Sequence, residues 1–235
     1  MSTNVHSPIG VFDSGIGGLT VVRALMERLP YENIVYFGDT ARVPYGVKSV
    51  ETIAHFTTQI AQFLLEKDVK MLVIACNTMA AVAAQMVKDL SSVPVLDVID
   101  AGAVSARGGK KIGVIATPTT INSNAYTRAI HDYAPDSRIH SQACALFVPL
   151  VEEGWLDHEV TRLTAQEYLK PLMAEQIDTL VLGCTHYPLL KPLLRQVVGE
   201  DVALVDSAEA MAEQVAALLA EKHLANPGPA QPRYD

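Results

Sequence analysis

The sequence predicts an α/β protein of two similar lobes, each a mostly parallel sheet flanked by helices, pseudo-twofold related with the active site between them. Three observations carry that prediction. Short β-branched runs alternate with amphipathic stretches of helical period along the chain. Two cysteines, Cys76 in VKMLVIACNT and Cys184 in IDTLVLGCTH, each close such a run and lie 108 residues apart. Two other landmarks recur in the same order: IGVF at Ile9 resembles IGVI at Ile112, offset by 103, and the Val-Pro at Val43 recurs at Val148, offset by 105. One dipeptide match would mean little, but an ordered set of three points to an internal repeat.

Eight strands follow from the β-branched runs: Ile9–Phe12, Ile34–Phe37, Met71–Ala75, Val93–Val98, Lys111–Ala116, Ile139–Ala143, Thr179–Leu182 and Val202–Val205. Helices fill the spaces between them, as in Ile53, Phe56, Ile60, Phe63, Leu64 and in Met211, Val215, Leu218, Leu219, where apolar residues recur every three or four positions. The first lobe is predicted over 1–98 and the second over 99–207. Ser207 reads as the N-cap of a final helix, 208–224, that completes the first lobe. Residues 225–235 end in NPGPAQPRYD, with three prolines and no apolar period, and are predicted to be a disordered tail.

Bulk properties narrow the partner. With 235 residues there is ample material for a buried cleft, and a formal net charge of −8 with no basic patch excludes nucleic acid and anionic membrane surfaces. That leaves a small molecule. The N-terminal MSTNVHSPIG has no basic stretch followed by an apolar core, and no apolar run reaches the length that spans a bilayer. Three widely separated cysteines make a poor disulfide framework, so free thiols in the cytoplasm are expected.

In parallel α/β sheets a ligand sits outside the carboxyl ends of the strands. The polar clusters fall there: Asp13 and Ser14 in FDSGIGGL, Pro44, Tyr45 and Gly46 in RVPYG, Cys76, Asn77 and Thr78 in ACNT, Thr117 and Thr120 in ATPTT, Glu152 in PLVEEG, and Cys184, Thr185 and His186 in GCTHYP. An isolated cysteine at a strand end is usually a small buried hydrophobe, and Cys144 fits that reading. Cys76 and Cys184 are expected where strand turns into helix, and a helix N-terminus favours the thiolate. From an ordinary thiol pKa of about 8.5, modest help makes one sulfur a base while its partner stays an acid. His186 stands beside Cys184 and Asp13 could play the matching part for Cys76, although an Asx turn before the glycines is its plain alternative. Glu152 and Glu153 could equally be a solvated pair.

Gly15, Gly17 and Gly18 do not complete a dinucleotide-binding G-x-G-x-x-G, because Thr20 occupies the last glycine position. They are expected instead to let backbone amides approach a small carboxylate. Ser14, Asn77, Thr78, Thr117, Thr120 and Thr185 then supply neutral donors and acceptors suited to an amino acid. A zinc-binding protein using Cys76, Cys184 and His186 lacks a C-x-x-C pair and a fourth ligand. An amino-acid-binding protein without chemistry is the remaining alternative.

FDSGIGGLTV, YFGDTARVPYG, ACNT, ATPTT, PLVEEG and GCTHYPLL, in this order, resemble the glutamate racemases across all but the first eight residues and the segment after about Leu224. The resemblance implies an isomerase that interconverts L- and D-glutamate with no cofactor and no metal, supplying D-glutamate for peptidoglycan; a homodimer in the cytoplasm is expected. It implies Cys76 and Cys184 as the two bases, Asp13 as the helper of Cys76, and Glu152 and His186 as helpers of Cys184. It also implies substrate contacts at Asp13, Ser14, Pro44, Tyr45, Gly46, Cys76, Asn77, Thr78, Thr117, Thr120, Thr185 and His186. Two departures, Ala80 after ACNTM and IDAGA at Ile99, touch no catalytic position but bear on packing under the Cys76 loop and on the hinge. A racemase of aspartate or hydantoin type would keep both thiols and change the pocket for the side-chain carboxylate.

Overall fold

The computed structural model describes residues 4–228 and 231–235. The first lobe runs β1 (Ile9–Asp13), α1 (Leu19–Arg28), β2 (Ile34–Gly38), α2 (Val50–Leu65), β3 (Met71–Ile74), α3 (Asn77–Leu90) and β4 (Val95–Asp97). Helix α4 (Val98–Ala106) leads into β5 (Lys111–Ala116), α5 (Pro118–Asn122), α6 (Ala125–Tyr133), β6 (Arg138–Ala143), α7 (Phe147–Glu152) and α8 (Glu159–Ala174). The chain continues through β7 (Thr179–Gly183), a 3-10 turn at Tyr187–Leu190, α9 (Lys191–Val198), β8 (Ala203–Asp206) and α10 (Ser207–Glu221).

Both sheets are parallel throughout and have the same order, β2-β1-β3-β4 and β6-β5-β7-β8. Their registers make the repeat concrete. Ile9 faces Met71 in the first sheet, and Ile112 faces Thr179 in the second. Cys76 and Cys184 therefore stand five residues beyond matching positions on matching strands. The central strands β1, β3 and β7 are buried along their whole length, which requires the near-continuous apolar runs that the sequence supplies there.

The eight predicted strands all form, with small differences at their ends. The largest is at β4, which stops at Asp97 because that side chain accepts from the Asp100 amide and starts α4 one residue on. The final helix also starts one residue earlier than expected. Its cap is Asp206, which accepts from the Ala208 amide at 2.9 Å, while Ser207 is already helical and points its hydroxyl at the Leu182 carbonyl. Helix α10 packs on α1 and on α4, and α4 packs in turn on α6. One apolar core consequently runs across the junction, joining Val11, Val98 and Met211 to Ile112, Val114 and Val181.

The expectation of a disordered tail over 225–235 needs correction, apart from 229–230, which lie outside the described residues. Ile34 donates its amide to the Arg233 carbonyl at 2.9 Å and accepts from the Asp235 amide at 3.0 Å, so Tyr234 bridges parallel to β2. β2 is an edge strand whose outer backbone groups need partners, and backbone pairing requires no apolar period in the added segment. A second contact ties both chain ends to the base of the first lobe. The fully buried Lys70 ammonium donates to the carbonyls of Val5 at 2.7 Å and Leu224 at 2.9 Å and pairs with the buried Glu32 carboxylate, which also accepts the Asn226 amide.

Removing one member of a buried ion pair strands the other charge, at a cost of about 3–5 kcal/mol. Lys70→Met is expected to lower the urea unfolding free energy by that amount. A loss below about 1 kcal/mol would assign the pair no more weight than a surface contact.

Candidate active site

Cys76 and Cys184 line one cavity of about 380 Å³ between the lobes. Among the described residues its lining includes no lysine or arginine. A larger cavity of about 550 Å³ adjoins it through Glu152 and His186 but reaches neither thiol. No group of three or more His, Cys, Asp or Glu among the described residues has an arrangement that could hold a metal ion.

Cys76 is the N-cap residue of the 14-residue helix α3, and its Sγ donates to Ser14 Oγ at 3.3 Å. Cys184 follows the last residue of β7, and its Sγ lies 3.8 Å from His186 Nδ1. The other ring nitrogen of His186 is 3.1 Å from Glu152 Oε1, so the expected helpers of Cys184 form a chain ending at that sulfur. Glu152 is thus engaged with His186, not simply solvated.

Burial decides the state of the thiols. It pushes Cys76 up to about 11, reinforced by the Asp13 charge and only partly opposed by Ser14 and the Met79 amide. Burial also pushes Cys184 well up, against the His186 amide and with the charges of Cys76 and Asp13 adding to it. The sequence argument that a helix N-terminus leaves one thiol near neutrality is therefore corrected: loss of hydration outweighs the helix at α3, and Cys184 precedes only a short 3-10 turn.

Asp13 is fully buried behind the cavity wall and does not bond Cys76. Its Oδ2 accepts the Gly15 amide at 2.9 Å, and Thr185 Oγ1, from the other lobe, lies 3.4 Å from Oδ1. Burial raises its pKa against those donors and the amide of Gly18. The glycine loop thus serves the protein's own carboxylate, where a ligand carboxylate was expected. Gly17 is required because a Cβ there would collide with Thr185 Oγ1 and the His186 ring across the lobe junction.

The remaining predicted residues form the other walls. Thr78, Thr117 and Thr120 close a hydroxyl triangle across the lobes with separations of 3.0, 3.3 and 3.1 Å, and Thr78 and Thr117 reach the cavity while Thr120 backs them. Pro44, Tyr45 and Gly46 line it from the loop after β2, and Thr119 donates to the Gly46 carbonyl at 2.7 Å. Asn77, Ser14, Thr185 and His186 complete the set.

Sequence reasoning missed three supports. Val148 and Pro149 line the same cavity as Val43 and Pro44, a correspondence that the Val-Pro repeat signalled. Asp39 binds the Tyr45 hydroxyl and Arg42 Nε at 2.7 Å, fixing the loop from below, and both residues lie inside the quoted YFGDTARVPYG. Tyr126, whose hydroxyl donates to Asn77 Oδ1 at 2.6 Å, carried no local signal at all.

Residues 11–215 match the family described as Asp/Glu/Hydantoin racemase. The chain belongs to that family. It is 72% identical to the glutamate racemase of Syntrophus aciditrophicus, covering 99% of this chain and 87% of that one, and 64% identical to the glutamate racemase of Neisseria meningitidis serogroup A, covering 97% and 85%. In structure it superposes on the glutamate racemase of Francisella tularensis in complex with D-glutamate with a TM-score of 0.93 at 45% identity, covering 98% and 87%.

A thiol with a pKa of about 11 is only about 0.1% thiolate at pH 8, against about a quarter for an ordinary one. In a Cys144→Ser, Cys184→Ser background, alkylation of Cys76 by iodoacetamide should therefore keep rising with pH through pH 10. A plateau near pH 8.5 would show that the helix and Ser14 outweigh burial.

Proposed function

We propose that this racemase interconverts L- and D-glutamate without a cofactor, by a two-thiol acid–base mechanism, and supplies D-glutamate for peptidoglycan synthesis. The observation that carries the reading is the pair of cysteines at repeat-equivalent strand ends lining one cavity whose lining, among the described residues, includes no lysine or arginine. The high identity to glutamate racemases supports glutamate over aspartate or hydantoin as substrate.

One sulfur, as thiolate, takes the α-proton, and the electron pair of the C–H bond stays on carbon. The opposite thiol then delivers its proton to the other face, so the stereocentre inverts and the charge ends on the second sulfur. That is the state from which the reverse reaction starts. Burial suits this chemistry, since a desolvated thiolate is rarer but more basic, which narrows its gap to a weakly acidic C–H. The substrate carboxylates are held by neutral hydroxyls, by Asn77 and by the N-terminus of α3, which favour developing negative charge without neutralising the thiolate.

The helpers differ on the two sides. Glu152 orients His186, and His186 relays a proton to or from Cys184. Asp13 acts on Cys76 through the field of its carboxyl and through the loop that presents Ser14, the residue in contact with that sulfur. No helix of the described residues is long and apolar enough to cross a membrane. The reading places the enzyme in the cytoplasm as a homodimer, an assembly that sedimentation tests.

In D2O the wild-type protein should place deuterium at the α-carbon of glutamate and turn over glutamate faster than aspartate. Cys76→Ser and Cys184→Ser should each lower racemisation about 10²–10⁴-fold. Near wild-type racemisation by Cys184→Ala would remove the two-base assignment, and a folded protein that binds glutamate without exchange would be a binder only. Glu152→Gln should lower kcat about tenfold, less than the 10²–10⁴-fold effect of a general acid–base group, because it acts through His186. An unchanged kcat would leave Glu152 outside the relay.

A further inference from the structure

Asn77 is 2% exposed and lines the cavity next to Cys76, yet its side-chain nitrogen has no hydrogen-bond partner among the described residues. A buried donor left unpaired is costly, so in a folded protein it points to something it is built to meet. The other end of the same amide is committed. Asn77 Oδ1 accepts from the hydroxyl of Tyr126, on α6 of the second lobe, at 2.6 Å.

An amide side chain offers a donor end and an acceptor end, and its partners decide which faces which way. Tyr126 is 2% exposed, and burial, with the Asp97 carboxylate adding to it, holds its hydroxyl far above the ordinary range. It keeps its proton and has one to give. The ring that carries this hydroxyl rests against two glycines. A Cβ at Gly183, the residue before Cys184, would come within 2.8 Å of the ring, and one at Gly102 in α4 within 3.2 Å. A single side chain thus touches the residue after one thiol and the residue before the other.

We infer that Tyr126 is a positioning residue, which turns the Asn77 amide so that its nitrogen is the end left free to donate to a substrate carboxylate. Without the hydroxyl the amide can rotate by half a turn and offer its oxygen, which repels a carboxylate. Because Tyr126 and Asn77 belong to different lobes, the donor is set only when the lobes meet at this junction. The inference deepens the functional reading above and rests on it, since it takes Asn77 as a substrate contact.

The test is a double-mutant cycle read in KM and kcat. Tyr126→Phe, which removes one oxygen and leaves the ring seated, should raise KM for both glutamate enantiomers about tenfold, the loss expected for one hydrogen bond to a charged group, with kcat changed less than about threefold. Asn77→Ala should raise KM at least as much. Adding Tyr126→Phe to Asn77→Ala should then cost less than about a further twofold, because the amide through which Tyr126 acts is gone. A simple loss of stability would multiply in both backgrounds and would not separate KM from kcat.

Asn77→Asp retains the acceptor for Tyr126 and has no donor end, so it should raise KM as Asn77→Ala does even if Tyr126→Phe fails to fold. Three results overturn the inference: KM unchanged in Tyr126→Phe, the same tenfold loss on the Asn77→Ala background, or wild-type KM in Asn77→Asp. Unchanged KM in Asn77→Ala has a different meaning, since it removes Asn77 from the substrate site and with it that part of the functional reading.

Discussion

Two buried sulfurs at the carboxyl ends of equivalent strands impose most of what surrounds them. A sulfur that trades a proton with carbon, the role proposed for both, has to be dehydrated enough to be basic, and the cost of that dehydration appears as a raised pKa for both Cys76 and Cys184. Among the described residues the cavity lining includes no lysine or arginine to relieve it, and either would trap a thiolate as an ion pair and reduce its basicity. The relief comes from weak neutral partners instead: the Ser14 hydroxyl, which accepts from the Cys76 thiol and can turn to donate to the thiolate, and the His186 amide at Cys184.

The same constraint explains why the site is assembled between lobes. Each parallel sheet presents a single cysteine at its β3 or β7 strand end, and one sheet cannot place two such positions on opposite sides of a small molecule. Duplication provides the second, and the junction holds the two together through buried and partly buried contacts: the threonine hydroxyl triangle, Thr185 to Asp13, Thr119 to the Gly46 carbonyl, and Tyr126 to Asn77. The core that crosses the junction through α4 and α10 gives these polar contacts a fixed frame. The two halves nevertheless differ where the chemistry is, with a His186–Glu152 pair on one side and a buried Asp13 on the other.

Much of this was legible in residue order. The alternation of apolar runs located every strand, and the register shows why the cysteine spacing marks a repeat: Met71 and Thr179, the strand starts, lie the same 108 residues apart. The Val-Pro repeat marks matching points after β2 and β6, and both pairs reach the cavity. Boundaries were less legible where an acidic residue competes for the cap, as at Asp97 and Asp206, since a strand-like run and a capping carboxylate can overlap in one segment. The tail misled because its pairing with β2 uses backbone groups, which carry no sequence pattern.

The sequence by itself determined the elements, the internal repeat and the strand-end cysteines that line the cavity, because strand and helix periods and strand-end placement are local properties. Tertiary structure decided how those groups are held. The Tyr126–Asn77 bond joins residues 49 apart and the Thr185–Asp13 contact residues 172 apart, and no local period encodes which distant side chains will meet. It also decided the protonation of the thiols, because desolvation depends on every atom packed around a sulfur, and a helix N-terminus visible in the sequence is only one contribution to that field.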